Sequence, residues 1–138
     1  MVGYSLGALV IFTALIELSK KKGKPSFGIV ENVVLMGLPA TIDPWVNWAR
    51  LRAVIPGRIV NCYTTTDWLL PFLLRAAGSI SPKDIAGLNP IDSVIGSTDD
   101  NNFKSLNIES VNVGDLIKGH LEYADNVEQV LKRINFCA

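Results

Sequence analysis

The amino-acid sequence predicts an α/β fold in which a parallel sheet is packed between helices. Stretches with helical patterning alternate along the chain with short β-branched runs. The runs around Val33 and Val60 are short and rich in β-branched residues, as in strands that are covered on both sides. Alternation of this kind is typical of parallel strands joined by crossover helices.

The first predicted helix runs from Leu6 to Leu18. Because it is apolar almost all round, we expect it to be buried. Lys20 to Lys22, followed by Gly23 and Pro25, are typical of a helix end, which we favour over an anion site for the lysines. A strand buried on both faces is then predicted from Ile29 to Met36.

The central part of the chain predicts a helix, a strand and another helix. Asp43 and Pro44 suit the N-cap and first turn of a helix, and Gly57 to Tyr63 form the next buried strand. A third helix is predicted over Trp68 to Ala77. The apolar residues of the second helix are Trp45, Trp48, Leu51 and Val54.

The C-terminal part begins with a long irregular stretch. Residues Gly78 to Ser105 are rich in proline, glycine and polar side chains, which predicts a loop-rich insertion. A strand is predicted from Leu106 to Val113, and a one-sided amphipathic helix begins at Tyr123. The apolar residues of that helix are Val127, Val130, Leu131 and Ile134.

Composition restricts the classes of function. The chain has 13 lysines plus arginines and 13 aspartates plus glutamates, so we expect no nucleic-acid partner, whose phosphates attract a positive surplus. With 49% hydrophobic and 19% charged residues, it predicts a folded domain that packs against something outside this sequence. The longest apolar run, Ala8 to Ile16, is too short to span a bilayer, so we expect no transmembrane segment.

The cysteines and the histidine exclude two further kinds of site. Cys62 and Cys137 are too few for a disulfide framework and suggest reduced thiols in an intracellular protein. One histidine and two cysteines do not make a usual set of metal ligands. We therefore expect neither a metal nor another cofactor.

The sharpest motif is Gly3-Tyr4-Ser5-Leu6-Gly7 at the start of the first helix. The pattern G-x-S-x-G is a nucleophile elbow, a tight strand-to-helix turn that lifts a serine hydroxyl above a sheet. We expect both Gly3 and Gly7 to be needed because neighbouring backbone passes close to the strained serine. The helix N-terminus that follows favours negative charge at the site.

A serine nucleophile needs a base and an acid that orients the base. His120 follows the third predicted strand, where a hydrolase base belongs, although a surface histidine is the alternative. Asp67 follows the second predicted strand, and it stays in the loop because Pro71 would clash with its carbonyl inside a helix. Asp43 is the competing acid, but its place before proline gives it a sufficient capping role.

Several segments in the same order resemble the α/β-hydrolase-like family of transmembrane and coiled-coil domain-containing protein 4. The resemblance implies a parallel-sheet α/β-hydrolase fold and a lipase or esterase associated with membranes. Carried over residue by residue, it implies a catalytic triad of Ser5, Asp67 and His120, with the Leu6 N–H in the oxyanion hole. The segments are Gly3 to Gly7, Val10 to Phe12, Gly28 to Val33, Val60 to Tyr63, Asp67-Trp68, Ala86 to Leu88 and Gly119 to Leu121.

The chain departs from that family because only Met1 and Val2 precede the elbow. We therefore expect residues 1–138 to be only the C-terminal part of the hydrolase fold, from the elbow onward. The strand that carries the serine would be almost absent, and so would the upstream loop with the second oxyanion donor. Such a chain is expected to be weakly active or inactive, and to self-associate through an open sheet edge.

Three functional interpretations remain open. The first is a serine hydrolase that acts on an ester, including a lipid ester. The second is a non-catalytic hydrolase-like fragment that acts as an interaction module, and the third is a chance motif in an unrelated α/β domain. The stretch from Trp68 to Leu74 would line an acyl pocket or lid in the first interpretation, but we favour an ordinary buried helix.

Overall fold

The computed structural model describes residues 1–21, 26–43, 46–78, 81–93 and 106–136. Several predicted features lie outside these ranges. They are the helix end at Lys22 to Pro25, the helix start at Pro44 and Trp45, half of the predicted insertion, and Cys137.

A parallel sheet of four strands forms the centre of the fold, in the order β1-β2-β3-β4. Val2 lies opposite Val34, Val34 lies opposite Val60, and Val60 lies opposite Glu109. The predicted α/β class with a parallel sheet is therefore confirmed. The strands are β1 (Val2–Tyr4), β2 (Val33–Met36), β3 (Ile59–Tyr63) and β4 (Ile108–Asn112). The helices are α1 (Leu6–Ser19), α2 (Val46–Val54), α3 (Leu69–Ala77) and α4 (Tyr123–Arg133).

Helices cover both faces of the sheet. On one face, α1 and α2 pack against Val33 and Leu35, and the rings of Phe12 and Trp48 meet with centroids 4.9 Å apart. On the other face, α4 packs against Val34 and its neighbours on β3. Because successive side chains of β2 alternate between two apolar layers, all four of its residues are buried. This explains the unbroken apolar run that predicted the strand.

The structure corrects two predictions about the first elements. A three-residue strand, β1, directly precedes Ser5 and pairs with β2, although the strand that carries the serine was expected to be almost absent. Helix α1 is not buried all round, since Leu6 and Val10 are each 68% exposed. Among the described residues, α1 packs on β1, β2 and α2, and these cover one side of the helix.

The segment 81–93 lies across the carboxyl ends of β2 and β3. The buried side chain of Asn61 donates hydrogen bonds to the carbonyls of Ala86 and Asn89, at 2.9 and 3.2 Å. The Gly87 N–H donates to the Leu38 carbonyl at 2.9 Å. A Cβ at Gly87 would lie 2.7 Å from the Gly37 carbonyl carbon, so this crossing needs a glycine. The segment therefore forms one wall beside the loop that carries Asp67.

Arg58 joins three elements at the opposite edge of the sheet. Its Nε and Nη2 donate to the two carboxylate oxygens of Glu109 on β4, at 2.8 and 2.7 Å. Nη2 also donates to the Ile134 carbonyl at the end of α4, at 2.9 Å. The hydrogen bond from Arg58 lowers the pKa of the Glu109 carboxyl.

We expect Arg58→Gln to lower the free energy of unfolding by about 1 kcal/mol at pH 7, because both partner groups are partly solvated. Since the folded-state pKa of Glu109 is lowered, the pair stabilises the fold above the ordinary glutamate pKa of about 4.3. That stabilisation is lost as the pH falls through the folded-state pKa. Urea titrations at pH 7 and pH 3 measure the difference.

The control is Glu17→Gln, which removes the exposed ion pair with Lys20 on α1. This change is expected to cost less than about 0.5 kcal/mol. An equal loss from both substitutions, or a loss from Arg58→Gln that persists undiminished at pH 3, would contradict the prediction.

Candidate functional site

Ser5 lies in a strained turn between β1 and α1. Its φ of 51° and ψ of −127° lie outside the regions that residues with a side chain commonly occupy. Two hydrogen bonds hold this backbone: the Ser5 N–H donates to the Met36 carbonyl at 2.9 Å, and the Leu9 N–H donates to the Ser5 carbonyl at 3.1 Å. The turn is therefore fixed by both the sheet and the helix.

The two glycines of the motif differ in their surroundings. A Cβ at Gly3 would lie 2.9 Å from the Ala8 backbone nitrogen and 2.7 Å from Ile11 Cδ1, so the strand and helix can approach only with glycine there. A Cβ at Gly7 would have no neighbour within 4 Å. We expected neighbouring backbone to require a glycine at Gly7. Among the described residues no backbone lies that close, so this expectation is wrong.

His120 brings the imidazole to Ser5 from the other end of the chain. It opens a short 3₁₀ turn, His120–Glu122, in the loop between β4 and α4. Its Nε2 lies 2.5 Å from the Ser5 Oγ, and the residue is only 5% exposed. The alternative of a surface histidine is therefore wrong.

Asp67 completes a chain of hydrogen-bonded groups. One carboxylate oxygen, Oδ2, lies 2.5 Å from His120 Nδ1, and both side chains are almost fully buried. The other oxygen, Oδ1, accepts the N–H groups of Leu69 and Leu70 at 3.0 Å each, which caps the first turn of α3. Asp67 lies outside that helix, as the position of Pro71 predicted, whereas Asp43 is exposed.

Thr64 is a residue of this site that the sequence reasoning did not identify. Its buried hydroxyl lies 2.9 Å from Thr66 Oγ1 and 3.2 Å from the Ile117 carbonyl. It thereby connects the turn before Asp67 with the loop before His120. The three consecutive threonines ahead of Asp67 were the available signal.

Tyr123 is the second such residue, and it supports the imidazole from one side. Its ring meets that of His120 nearly edge-on, with centroids 6.2 Å apart and an angle of 78°. A Cβ at Gly37 would lie 2.8 Å from the Tyr123 ring, so the tyrosine packs directly on the turn after β2. Burial raises the pKa of the Tyr123 phenol, which therefore stays neutral. Its position three residues after His120 was the signal.

Cys62 is a nucleophilic side chain on β3, and its environment keeps it unreactive. It is completely buried within the apolar layer under α4. Burial raises the pKa of its thiol to about 12, so the nucleophilic thiolate is scarce at neutral pH. Among the described residues no group of three or more histidine, cysteine, aspartate and glutamate side chains could hold a metal ion.

The elbow opens onto a cleft of about 460 Å³ that is lined by residues from Val2 to Gly7. Leu6 is the first residue of α1, so its N–H has no acceptor within the helix.

Helix α3 lies beside Asp67 and is not the buried core helix that we favoured from the sequence. Leu70 is fully buried, but Trp68, Phe72 and Leu73 are 73%, 66% and 46% exposed.

These features define an α/β protein with a Ser-His-Asp hydrogen-bonded chain at the carboxyl edge of a parallel sheet, in which the histidine and the aspartate are buried. Residues 1–137 match the model of a family described as "Protein of unknown function (DUF726)". The chain belongs to this family. No solved structure matches it.

Curated relatives are similar over almost the whole chain. It is 40% identical to "Probable lipase MIL1" of Saccharomyces cerevisiae, with 97% of this chain and 11% of the relative covered. It is 38% identical to "Uncharacterized membrane protein F35D11.3" of Caenorhabditis elegans, with coverage of 97% and 19%. It is 36% identical to "Transmembrane and coiled-coil domain-containing protein STS1" of Oryza sativa subsp. japonica, with coverage of 97% and 18%.

The chain therefore spans between about a tenth and a fifth of the length of these relatives. Two of the three names refer to membranes. Within the described ranges, no helix has the length and apolar character that crossing a bilayer requires.

Proposed function

We propose that this chain carries the catalytic triad of a serine hydrolase that acts on carboxylic esters, with lipid esters as the substrate class. The observation that carries the proposal is the pair of 2.5 Å contacts, from Ser5 Oγ to His120 Nε2 and from His120 Nδ1 to Asp67 Oδ2. The similarity to a relative named as a probable lipase supports a lipid ester as substrate.

The proposed reaction begins with attack by the Ser5 oxygen on the ester carbonyl carbon. His120 Nε2 takes the serine proton as the bond forms and then gives it to the departing alcohol. Asp67 holds the imidazole with its proton on Nδ1 and stabilises the cation that forms during the step. Water then hydrolyses the acyl-serine by the same proton transfers, which returns Ser5 and releases the acid.

The Leu6 N–H is the proposed donor to the carbonyl oxygen that becomes negative during attack. It starts α1 beside the nucleophile, and the positive end of the helix favours the developing charge. A second donor is not assigned among the described residues. We propose that the second donor belongs to a loop outside this chain and that this chain alone is weakly active, because the loss of one donor typically costs about 10²- to 10³-fold in rate.

We also propose that residues 1–138 form the C-terminal portion of an α/β-hydrolase domain, with a loop-rich insertion at 78–105. The chain order of Ser5, Asp67 and His120 supports this placement, because hydrolases of that fold use the same order. The relatives' names support association of the longer protein with a membrane.

A fluorophosphonate probe tests the proposed nucleophile, because it reacts covalently with an activated serine. We expect peptide mass spectrometry to find the adduct on Ser5, with slow labelling of the 138-residue chain. Absence of any adduct on a chain that is folded by circular dichroism, or an adduct only on another serine, would overturn the proposal.

An interaction module is the second candidate, and the outer strand β1 favours it. Among the described residues, β1 pairs only with β2, and Val2 and Tyr4 on it are 39% and 43% exposed. Unpaired strand edges with apolar side chains promote association. In this candidate the strand binds a further polypeptide chain, including a second copy.

We expect the 138-residue chain to self-associate through this edge, and Val2→Lys to reduce that association at least about tenfold, because an edge lysine opposes strand pairing. Sedimentation equilibrium measures the dissociation constant. Lys21→Ala, at the exposed end of α1, is the control and should leave the constant unchanged. A monomeric parent chain with a cooperative thermal transition would contradict the prediction.

A further inference from the structure

A large, exposed apolar side chain directly follows each of the three residues of the hydrogen-bonded chain. Leu6 follows Ser5 and is 68% exposed, Trp68 follows Asp67 and is 73% exposed, and Leu121 follows His120 and is 77% exposed. Phe72, one turn along α3 from Trp68, is 66% exposed. These four residues are called the apolar rim below.

The apolar rim is located at one edge of the sheet. Ser5, Asp67 and His120 follow β1, β3 and β4, and these strands are parallel, so all three loops lie at the carboxyl ends. The side chains of Ser5, His120 and Asp67 meet in two 2.5 Å contacts, so the residues that directly follow them start from the same edge of the sheet. Within the part of the chain that the structure describes, these four side chains contribute little to the core, because apolar side chains that stabilise a core are removed from water.

We propose that the apolar rim docks on a lipid–water surface and places the Ser5 hydroxyl against the esters of that surface. This inference rests on the proposed ester hydrolysis and adds how the substrate reaches the site. A protein seated permanently on the same side chains would cover the hydroxyl, whereas a lipid surface presents esters to it. Tryptophan is suited to this role because its ring partitions into the boundary between headgroups and acyl chains.

Charges of both signs lie near the apolar rim in the chain, which suits a zwitterionic surface such as phosphatidylcholine: the cations are Arg75 and Lys118, and the exposed acids are Glu122 and Asp125. From Trp68 to Gly78 the chain has a single charged residue, the exposed Arg75 near the end of α3. Lys118, two residues before His120, is also exposed. The nearby carboxylate of Glu122 accepts the Lys118 backbone N–H at 2.9 Å, so one of its oxygens is already held by the protein. Apolar side chains with cations beside them are typical of surfaces that lie in the headgroup region.

The test uses Ser5→Ala as the parent chain, so that vesicles are bound but not hydrolysed. Its cosedimentation with phosphatidylcholine vesicles is measured alone and with Trp68→Gln plus Leu121→Gln added. The matched control adds Phe27→Gln and Ile29→Gln, which are 63% and 66% exposed but precede β2 at the opposite edge of the sheet. Circular dichroism verifies that each variant is folded.

We expect the parent to bind the vesicles and the rim variant to bind about 100-fold more weakly, roughly tenfold for each apolar side chain withdrawn from lipid. The control should bind within about twofold of the parent. Absence of binding by the folded parent, or equal losses in rim variant and control, would overturn the inference. So would a rim variant that loses only self-association, which would identify a second copy as the occupant.

Failure of this inference is distinguishable from failure of the proposed function. Fluorophosphonate labelling of Ser5 with no vesicle binding by the parent would leave the hydrolase and remove the docking surface. Vesicle binding that depends on the apolar rim, without labelling of Ser5, would leave the docking surface and remove the proposed hydrolase.

Discussion

Ester hydrolysis is expected to fall by about 10³- to 10⁶-fold when Ser5 is replaced by alanine, and by a similar factor for His120→Ala. Without the serine there is no oxygen to form the acyl intermediate. Without the imidazole, 2.5 Å from that oxygen, the hydroxyl keeps its proton and is a poor nucleophile. Initial rates with a p-nitrophenyl ester measure both losses.

The two substitutions together should cost little more than either alone, because both groups act in one step. Ser19→Ala is a matched control, since its hydroxyl only donates to the Ile16 carbonyl on the same helix at 2.6 Å. Hydrolysis that survives in Ser5→Ala, or that falls as far in Ser19→Ala, would remove the assignment of the nucleophile.

Asp67→Asn is expected to lower the same rate by about 10⁴-fold, while the free energy of unfolding changes much less. The new side-chain oxygen still accepts the N–H groups of Leu69 and Leu70 that Oδ1 accepts now, so the cap of α3 is kept. An amide N–H facing His120 Nδ1, however, favours the tautomer with its proton on Nε2. That tautomer has no free electron pair toward Ser5.

The matched substitution is Asp43→Asn, at the acid that the sequence left as a competitor. Because Asp43 is exposed and the contact to the imidazole comes from Asp67, we expect the Asp43→Asn variant to hydrolyse the ester within about twofold of the rate of the unsubstituted chain. Steady-state kinetics at pH 8 and urea titrations of both variants separate catalysis from stability. Equal rates for the two variants would refute the role given to Asp67.

The sequence predicted the arrangement where the signal was local and physical. The apolar, β-branched residues that open β2 and β3 reflect burial on both faces of the sheet. Glycine was required at Gly3 because the helix backbone passes 2.9 Å from a Cβ there. Pro71 placed Asp67 outside α3 through a steric clash. For these residues, the residue type and its position in the sequence were enough to predict the structural role.

Exposure could not be predicted in the same way. An apolar helix is buried only where another element covers it, and residue type alone does not report the number of covering elements. Helix α1 and the start of α3 therefore look like core in the sequence, yet leave Val10 and Phe72 in water. The link from Thr64 to the Ile117 carbonyl was equally hidden, because it joins residues 53 positions apart.

The contact between Ser5 and His120 joins residues 115 positions apart in a chain of 138. Contacts of such separation close late during folding, since the intervening loop entropy must first be reduced by the sheet and its helices. An unfolded or half-assembled chain thus has no adjacent base for its serine. The chemistry becomes available only after the turn at Ser5 and the loop at His120 have met, so the recovery of hydrolysis after dilution from denaturant would report when the native topology is complete.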